Sequence, residues 1–400
     1  MEVLIKNCRI VDETKDIQGD IYIKDGRIVE YGQSIHIDCK TIDATNLVAM
    51  PSFIDMHVHF REPGYTYKED IYTGSMAALK GGYTFVNLMA NTDPVCSGME
   101  IVEYVLGRAK ELDLIDIHQT VSVTKDFDGK TLDHLHTLDE RVKFISDDGK
   151  GVQSNLTMFK ALLIARDRDL TVIAHEEDEE IVDIDTRLSE NIMTMRDIYL
   201  SGLTGARLHL AHVSTKESIE EIRKAKKEGI RVTCEVTPHH IALYDNDYRV
   251  NPPIREREDV RALVQGIVDG TVDVIATDHA PHSEEDKEKG APGISGLETA
   301  FSLVYTNLVK RGSISLNRLS QLMSASPGKL MGLNKGRIKK GYDGDIVLID
   351  LDKKIIIDKE SFISKGKNTP FNGVEVYGEI IATIRRGQVK YNGGVNIDNR

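Results

Sequence analysis

The sequence predicts an α/β protein: a (β/α)8 barrel of the TIM type, with a small β-sandwich domain formed by both termini. Two observations predict the barrel. Across residues 51–335, short apolar runs alternate with helix-length amphipathic segments, the pattern of parallel strands joined by crossover helices. Eight such units fit in this stretch, and a barrel of this kind occupies about 250 residues. A third observation predicts the sandwich. Residues 1–50 and 336–400 are both rich in short β-runs and turn signals, and neither is long enough to bury a core alone.

At the N-terminal end, "VLIKNCRIVD" and "DIYIKDGRIVEYG" read as strands, and the Asp25-Gly26 pair is a hairpin signal. The eight barrel strands are read in "AMPSFIDMH", "TFVNLMAN", "IDIHQTVSV", "VKFISDD", "TVIAHE", "RLHLAHVS", "RVTCEVTPH" and "VDVIATDHA". Helical stretches follow them. In "STKESIEEIRKAKKEG", Ser214 is placed to cap the helix and Gly229 to end it after a lysine-rich last turn. The competing architecture is an open doubly wound sheet, but no G-x-G-x-x-G follows the first strand. At the C-terminal end, "GDIVLIDLD", "KIIID" and "EIIATIRRGQVKYNGG" return to the β pattern.

Composition narrows the class of function. The 400 residues are 40% hydrophobic and 29% charged, as expected of a globular protein in water. No apolar stretch approaches the roughly 18 residues of a membrane span, and "MEVLIKNCRIVDE" lacks a signal-peptide core, so a cytoplasmic protein is expected. Cys8, Cys39, Cys96 and Cys234 form no C-x-x-C pair, which suits a reducing compartment and argues against a thiolate metal site. The net charge of -13 argues against a nucleic-acid partner.

Chemically capable residues crowd the C-terminal ends of the expected strands. Strand one ends in His57 and His59, strand two in Asn91, strand four in Asp147-Asp148, strand five in His175. Strand six ends in His212, strand seven near His239-His240, and strand eight in Asp278-His279. In a barrel these ends share one face, where active sites lie. Residues i and i+2 of a strand point the same way, so His57 and His59 can grip one ion together. His and Asp suit zinc or a similar divalent metal. Two satisfied core histidines are the plain alternative for an isolated H-x-H; His175, His212 and Asp278 at other strand ends weigh against it. His209 competes with His212, but His212 lies nearer the strand end. His118, His134, His136 and His36 read as core or surface residues, and His239 and His240 as the rim of the site.

Together "DMHVHFREPG", "NLMANTDP", "SDDGKGVQ", "AHEED", "HLAHVSTKES", "EVTPHH", "NPPIR", "ATDHAPH" and "KNTPFNGVEVYGE" resemble the bacterial dihydroorotases of the long-chain type, in the amidohydrolase superfamily. D-x-H-x-H alone points only to the superfamily; Arg61 and "ATDHAPH" make the likeness specific. The resemblance implies a zinc-dependent hydrolase of pyrimidine biosynthesis that interconverts N-carbamoyl-L-aspartate and L-dihydroorotate. It implies two zinc ions per subunit: His57, His59 and Asp278 on one, His175 and His212 on the other, with Asp148 and a hydroxide bridging them. Asp278 would be the catalytic proton shuttle. His59, Arg61, Asn91, Asn251, His282 and the Pro292-Gly293 backbone would contact substrate. A homodimer and association with aspartate carbamoyltransferase are further implied.

Two departures from the family stand out. The segment 176–206 is short, and "GAPGISG" near Pro292 lacks an aromatic residue before the glycine. The charged stretch 282–293 reads either as a flap over the site or as a solvated loop. Asp147 points away from Asp148 on a regular strand, and a turn would exchange them. A carboxylated Lys143 is the other candidate bridge, but it lies five residues from Asp148, about 16 Å at roughly 3.3 Å per residue, and Asp148 is nearer the strand end. Other readings are a hydantoin- or allantoin-cleaving relative, for which Arg61 instead points to an acidic substrate, and a non-catalytic scaffold, which would have lost ligands.

Overall fold

The computed structural model describes residues 1–398. Eight short strands form the frame of the site: β1 (Phe53–Val58), β2 (Tyr83–Leu88), β3 (Asp116–Gln119), β4 (Phe144–Ile145), β5 (Thr171–Ala174), β6 (Arg207–Leu210), β7 (Val232–Val236) and β8 (Val274–Ile275). Neighbours pair in parallel within β1–β3 and within β4–β8. Parallel bridges Val121–Ile145 and Val58–His279 join the two sets, so the order runs round a closed ring. All eight segments read from the sequence contribute a strand. Both β1 and β2 are buried along their whole length, as expected of parallel strands covered by helices.

Inside the ring, Ile54, Met56, Phe85, Phe144, Ile173 and Val274 pack with Met331 as an apolar plug. The plug gives way to histidines by a local device. Between Asp55 and Val58 the pairing of β1 with β2 slips by one residue. A bulge of this kind resets the alternation of side chains, so His57 and His59 reach the interior above Met56. The site therefore sits on packed apolar side chains and opens only at the C-terminal mouth.

The first strand is shorter than read from "AMPSFIDMH". Val48–Pro51 belongs to the terminal sheet, where it pairs with residues 346–349, and β1 starts at Phe53. That handover straddles the expected boundary at residue 50. The termini meet in one hydrogen-bonded sheet of nine strands, from Glu2–Asp12 through Ile346–Ile356 to Asn396–Asp398. The sheet encloses its own core, including Ile5, Ile10, Ile21, Ile42, Leu348 and Ile384. Asp25 and Gly26 turn the hairpin between Lys15–Lys24 and Arg27–Gly32, both at positive φ (49° and 79°), the requirement of a type I′ turn.

Helix caps follow local chemistry. Helix Lys216–Lys227 is capped by Thr215, whose hydroxyl accepts from Ser218 N, one residue later than the expected Ser214. Ser214 is instead taken up by Glu190, which accepts from its backbone and hydroxyl. Gly229 ends the helix region at φ 78°. Lys335 joins the barrel to the terminal sheet. Its buried ammonium lies 2.8 Å from Asp116 at the start of β3, 3.0 Å from Asp343 and 2.5 Å from Asp345.

Candidate metal centre and active site

His57 is wholly buried, and its ring is fixed from behind. Nδ1 lies 2.6 Å from Glu235 Oε1 on β7, a carboxylate that can only accept, so Nδ1 carries a proton and Nε2 faces Asp148. His59 is held the same way: Nδ1 donates to Asn91 Oδ1 at 2.8 Å, and Nε2 lies 3.1 Å from Asp278 Oδ1. Asp148 stands between the two groups of histidines. Its Oδ1 is 3.3 Å from His57 Nε2, 3.4 Å from His175 Nδ1 and 3.5 Å from His212 Nε2; its Oδ2 is 3.5 Å from His59 Nε2. His175 Nδ1 and His212 Nε2 approach to 2.9 Å. His212 and Asp278 adopt left-handed backbone, φ 33° and 48°. Non-glycine residues rarely do so, and such strain is found where side-chain aim matters.

This donor set fits divalent metal. His57 with Asp148 and His212, and His57 with His59 and Asp278, each bring three ligand atoms within 4.8 Å. His57 Nε2, Asp148 Oδ1 and His175 Nε2 are buried without a hydrogen-bond partner, which an unliganded polar core does not tolerate cheaply. The field also calls for a cation. Burial disfavours a charged His175, yet Asp148 and Glu177 outweigh it and push its pKa up to about 10. Burial would also raise the Asp148 carboxyl, but His57, His175 and His212 hold it well below the usual range. The remaining acidic group of this kind among the described residues, Asp116 with Asp343 and Asp345, is already filled by the Lys335 ammonium.

A cavity of about 180 Å³ opens over the cluster, lined among others by His59, Arg61, Asn91, Asp148, His175, His212, Asn251, Asp278, His282, Pro292 and Gly293. Every residue named from the sequence as metal ligand or substrate contact lines this cavity except His57, which is wholly buried 3.3 Å from Asp148. Arg61 lies beyond the end of β1, and a left-handed turn at φ 61° swings it over the cavity. Nη2 is 3.2 Å from His282 Nε2. Its neighbour Glu62 is engaged elsewhere, by Ile71 N and Tyr104. Burial, with Arg61 and Lys68 adding to it, pushes His282 down to about 3, so its ring is neutral.

Asp147 and Asp148 part company at the end of β4. The Asp147 carboxylate turns outward to accept from Thr124 N at 3.0 Å and Thr124 Oγ1 at 2.5 Å, leaving Asp148 to face the histidines. Lys143 lies at the opposite mouth of the barrel, beside Asp169, Arg207 and Lys329. His209 sits one layer below the cluster, with Nε2 3.1 Å from Glu235 Oε2. His239 and His240 do not form the rim. Both are buried behind the cavity wall; His240 bridges Thr237 and Pro252 O, because the helix turn Pro238–Ala242 folds them inward. His118 is a satisfied core residue between Asn87 and Lys143 N, while His36 and His136 are exposed.

Three contributors were not singled out from the sequence. Glu235 supports His57 and His209 together. Burial pushes its carboxyl up, but the two imidazoles outweigh this and hold it down at about 2. An ionisable residue inside the apolar run of β7 is the signal that could have found it, since a buried carboxylate needs partners. Lys68 reaches His282 Nδ1 at 3.4 Å, and Glu177 accepts from Asn251 Nδ2 at 2.5 Å. Neither has a sequence signature.

The sequence profile of the Amidohydrolase family matches residues 48–390. A dihydroorotase of Clostridium botulinum (strain Eklund 17B / Type B) is 55% identical over 396 residues, covering 98% of this chain and 100% of that protein. A dihydroorotase of Bacillus subtilis (strain 168) is 42% identical over 424 residues, covering 98% and 99%. Among solved structures, the L-hydantoinase (dihydropyrimidinase) from Arthrobacter aurescens superposes with a TM-score of 0.89 at 26% identity, over 98% of this chain and 96% of that one. No helix among the described residues is long and apolar enough to cross a membrane. With a profile matched over most of its length and relatives this similar end to end, the chain belongs to the amidohydrolase family and, within it, to the dihydroorotases.

Proposed function

We propose that this site closes N-carbamoyl-L-aspartate to L-dihydroorotate with loss of water, and opens it in reverse, as a step of pyrimidine synthesis. The observation that carries the reading is that one small cavity is lined both by the His/Asp cluster and by Arg61, His282, Asn91 and Asn251. An anionic substrate with a reacting carbonyl needs both sets. His57, His59 and Asp278 would hold one zinc, His175 and His212 a second, and Asp148 would lie between them. Bound divalent metal there supplies Lewis-acid polarisation of a carbonyl and a water of lowered pKa.

The chain's own groups do the rest. Arg61 offers a planar fork to a substrate carboxylate, which a protein of net charge -13 needs at this point. Asn91 spends its oxygen on His59, leaving its amide protons free toward the cavity. In the ring-opening direction water adds to the amide carbonyl and the C–N bond breaks. Asp278 takes the water's proton on a carboxylate oxygen and delivers it to the departing nitrogen. Its charged form is ready for this, because hydrogen bonding to His59 and the nearby imidazoles outweigh burial and hold the carboxyl below the usual range.

The hydantoin-cleaving neighbours share the frame, and Arg61 is the feature that favours an acidic substrate over theirs. All six ligand residues converge, which a non-catalytic scaffold would not require. Homodimer formation and association with a carbamoyltransferase rest on the sequence resemblance alone, and a cytoplasmic location on the composition. The deciding experiment follows dihydroorotate formation from carbamoyl-aspartate, with metal analysis, before and after a chelator. Ring closure lost with the metal and restored by zinc is expected. A metal-replete protein inert toward carbamoyl-aspartate sinks the reading.

A further inference from the structure

Residues 364–368 lie between the terminal-sheet strands Ile346–Ile356 and Glu375–Arg385, yet they leave that sheet and pack against the loops that follow β1 and β8. Asn368 is 7% exposed. Its amide makes four contacts. Oδ1 accepts from His282 N at 2.9 Å and Ser295 Oγ at 2.8 Å; Nδ2 donates to Ala280 O and Gly293 O, each at 3.0 Å. Donors lie on one side and carbonyls on the other, so the orientation of the amide is settled by its partners. Its backbone carbonyl also accepts from Ser295 N at 2.9 Å. These partners are the two stems of the loop that follows β8.

The same stretch grips the loop after β1. Ser364 Oγ donates to Glu69, and Lys365 Nζ pairs with Asp70 at 2.5 Å and donates to Thr66 O at 2.6 Å. Close approach depends on Gly366, where a Cβ would lie 2.6 Å from both Pro281 Cβ and Ser295 Oγ. Glu298 anchors the stretch by accepting from Ile363 N at 2.8 Å and Ser364 N at 3.0 Å. One short segment of the C-terminal part thus ties together the loop bearing Arg61 and the loop bearing His282 and Gly293.

We infer that Asn368 is a positioning residue for substrate: it sets His282 and Gly293 at their working distance from Arg61 without touching substrate itself. The inference rests on the ring-closure reading above. A side chain with four partners on two stems cannot be replaced by water without freeing both stems, and the His282 ring then loses its station 3.2 Å from Arg61. The effect falls on substrate affinity, because the His/Asp cluster takes no hydrogen bond from Asn368.

The test uses zinc-loaded Asn368→Ala, with Asn368→Asp as a second variant that keeps both acceptor contacts. Expected for Asn368→Ala is a KM for carbamoyl-aspartate raised about 10-fold or more, with kcat within about threefold and zinc content unchanged, as for lost hydrogen bonds to positioned groups. Combined with His282→Ala, it should add less than about twofold to the KM of His282→Ala alone, since residues acting through one another are not additive. Amide exchange at His282 and Ser295 should accelerate. An unchanged KM in a folded variant, or a fully additive double variant, overturns the inference. If wild type does not close carbamoyl-aspartate, the functional reading has failed instead. Exchange at 280–295 then decides alone, and unaltered protection overturns the role of Asn368.

Discussion

Glu235 Oε1 lies 2.6 Å from His57 Nδ1, with both side chains wholly out of solvent. The contact fixes a proton on Nδ1 of a histidine proposed as a metal ligand, from outside the cluster. Glu235→Gln should therefore lower zinc affinity about 10- to 100-fold, the usual effect of losing a carboxylate behind a metal-bound imidazole. Its amide can present the wrong hydrogen-bonding group to Nδ1. Competition against a chromogenic chelator measures this, and undiminished zinc retention would count against a supporting role.

Asp278→Asn should abolish turnover while leaving the fold intact. The amide keeps an oxygen toward His59 but accepts no proton. Activity near wild type, with an unchanged melting profile, would remove Asp278 from the proton path.

Arg61→Met should weaken carbamoyl-aspartate binding from several-fold to a few hundred-fold, using roughly 1.5–3 kcal/mol for a hydrogen bond to a charged group. Metal content should not change, because Arg61 meets His282 rather than the ligand cluster. An unaltered KM would place the carboxylate elsewhere.

Asp148→Ala should lose the second metal and nearly all activity, whereas Lys143→Ala keeps both. Asp148 faces four histidines, while Lys143 opens onto the opposite mouth. Metal analysis and ring-closure rates, with and without bicarbonate, separate the two. A bicarbonate-dependent wild type with an inactive Lys143→Ala would reverse the assignment.

Lys335→Met should destabilise the protein by about 3–5 kcal/mol, the cost of leaving buried charge without its partner. Buried Asp345 would then lose its ammonium, while Asp116 keeps Arg385 and Asp343 keeps Arg27. Denaturant unfolding measures the loss; a change below about 1 kcal/mol would mean that Asp345 finds another partner.

The eight strands and the polar residues at their ends could be read in the chain because both are local. A buried parallel strand is a short apolar run, and its C-terminal end is where the run stops. That is enough to place His57, His59, His175, His212 and Asp278 on one face. The hairpin at Asp25-Gly26 is local in the same sense.

What the tertiary structure decided is how those side chains are aimed. Asp148 rather than Asp147 faces the cluster because Thr124, 23 residues away, takes Asp147. A bulge in β1 and a left-handed turn at Arg61 replace the regular strand that i, i+2 spacing assumes. Glu235 meets His57 across 178 residues, and Asn368 meets His282 across 86. The residue types that can hold a metal were written along the chain. Their protons, their supports and the strap between the loops after β1 and β8 come from hydrogen bonds between distant segments, whose geometry exists only once the barrel has closed.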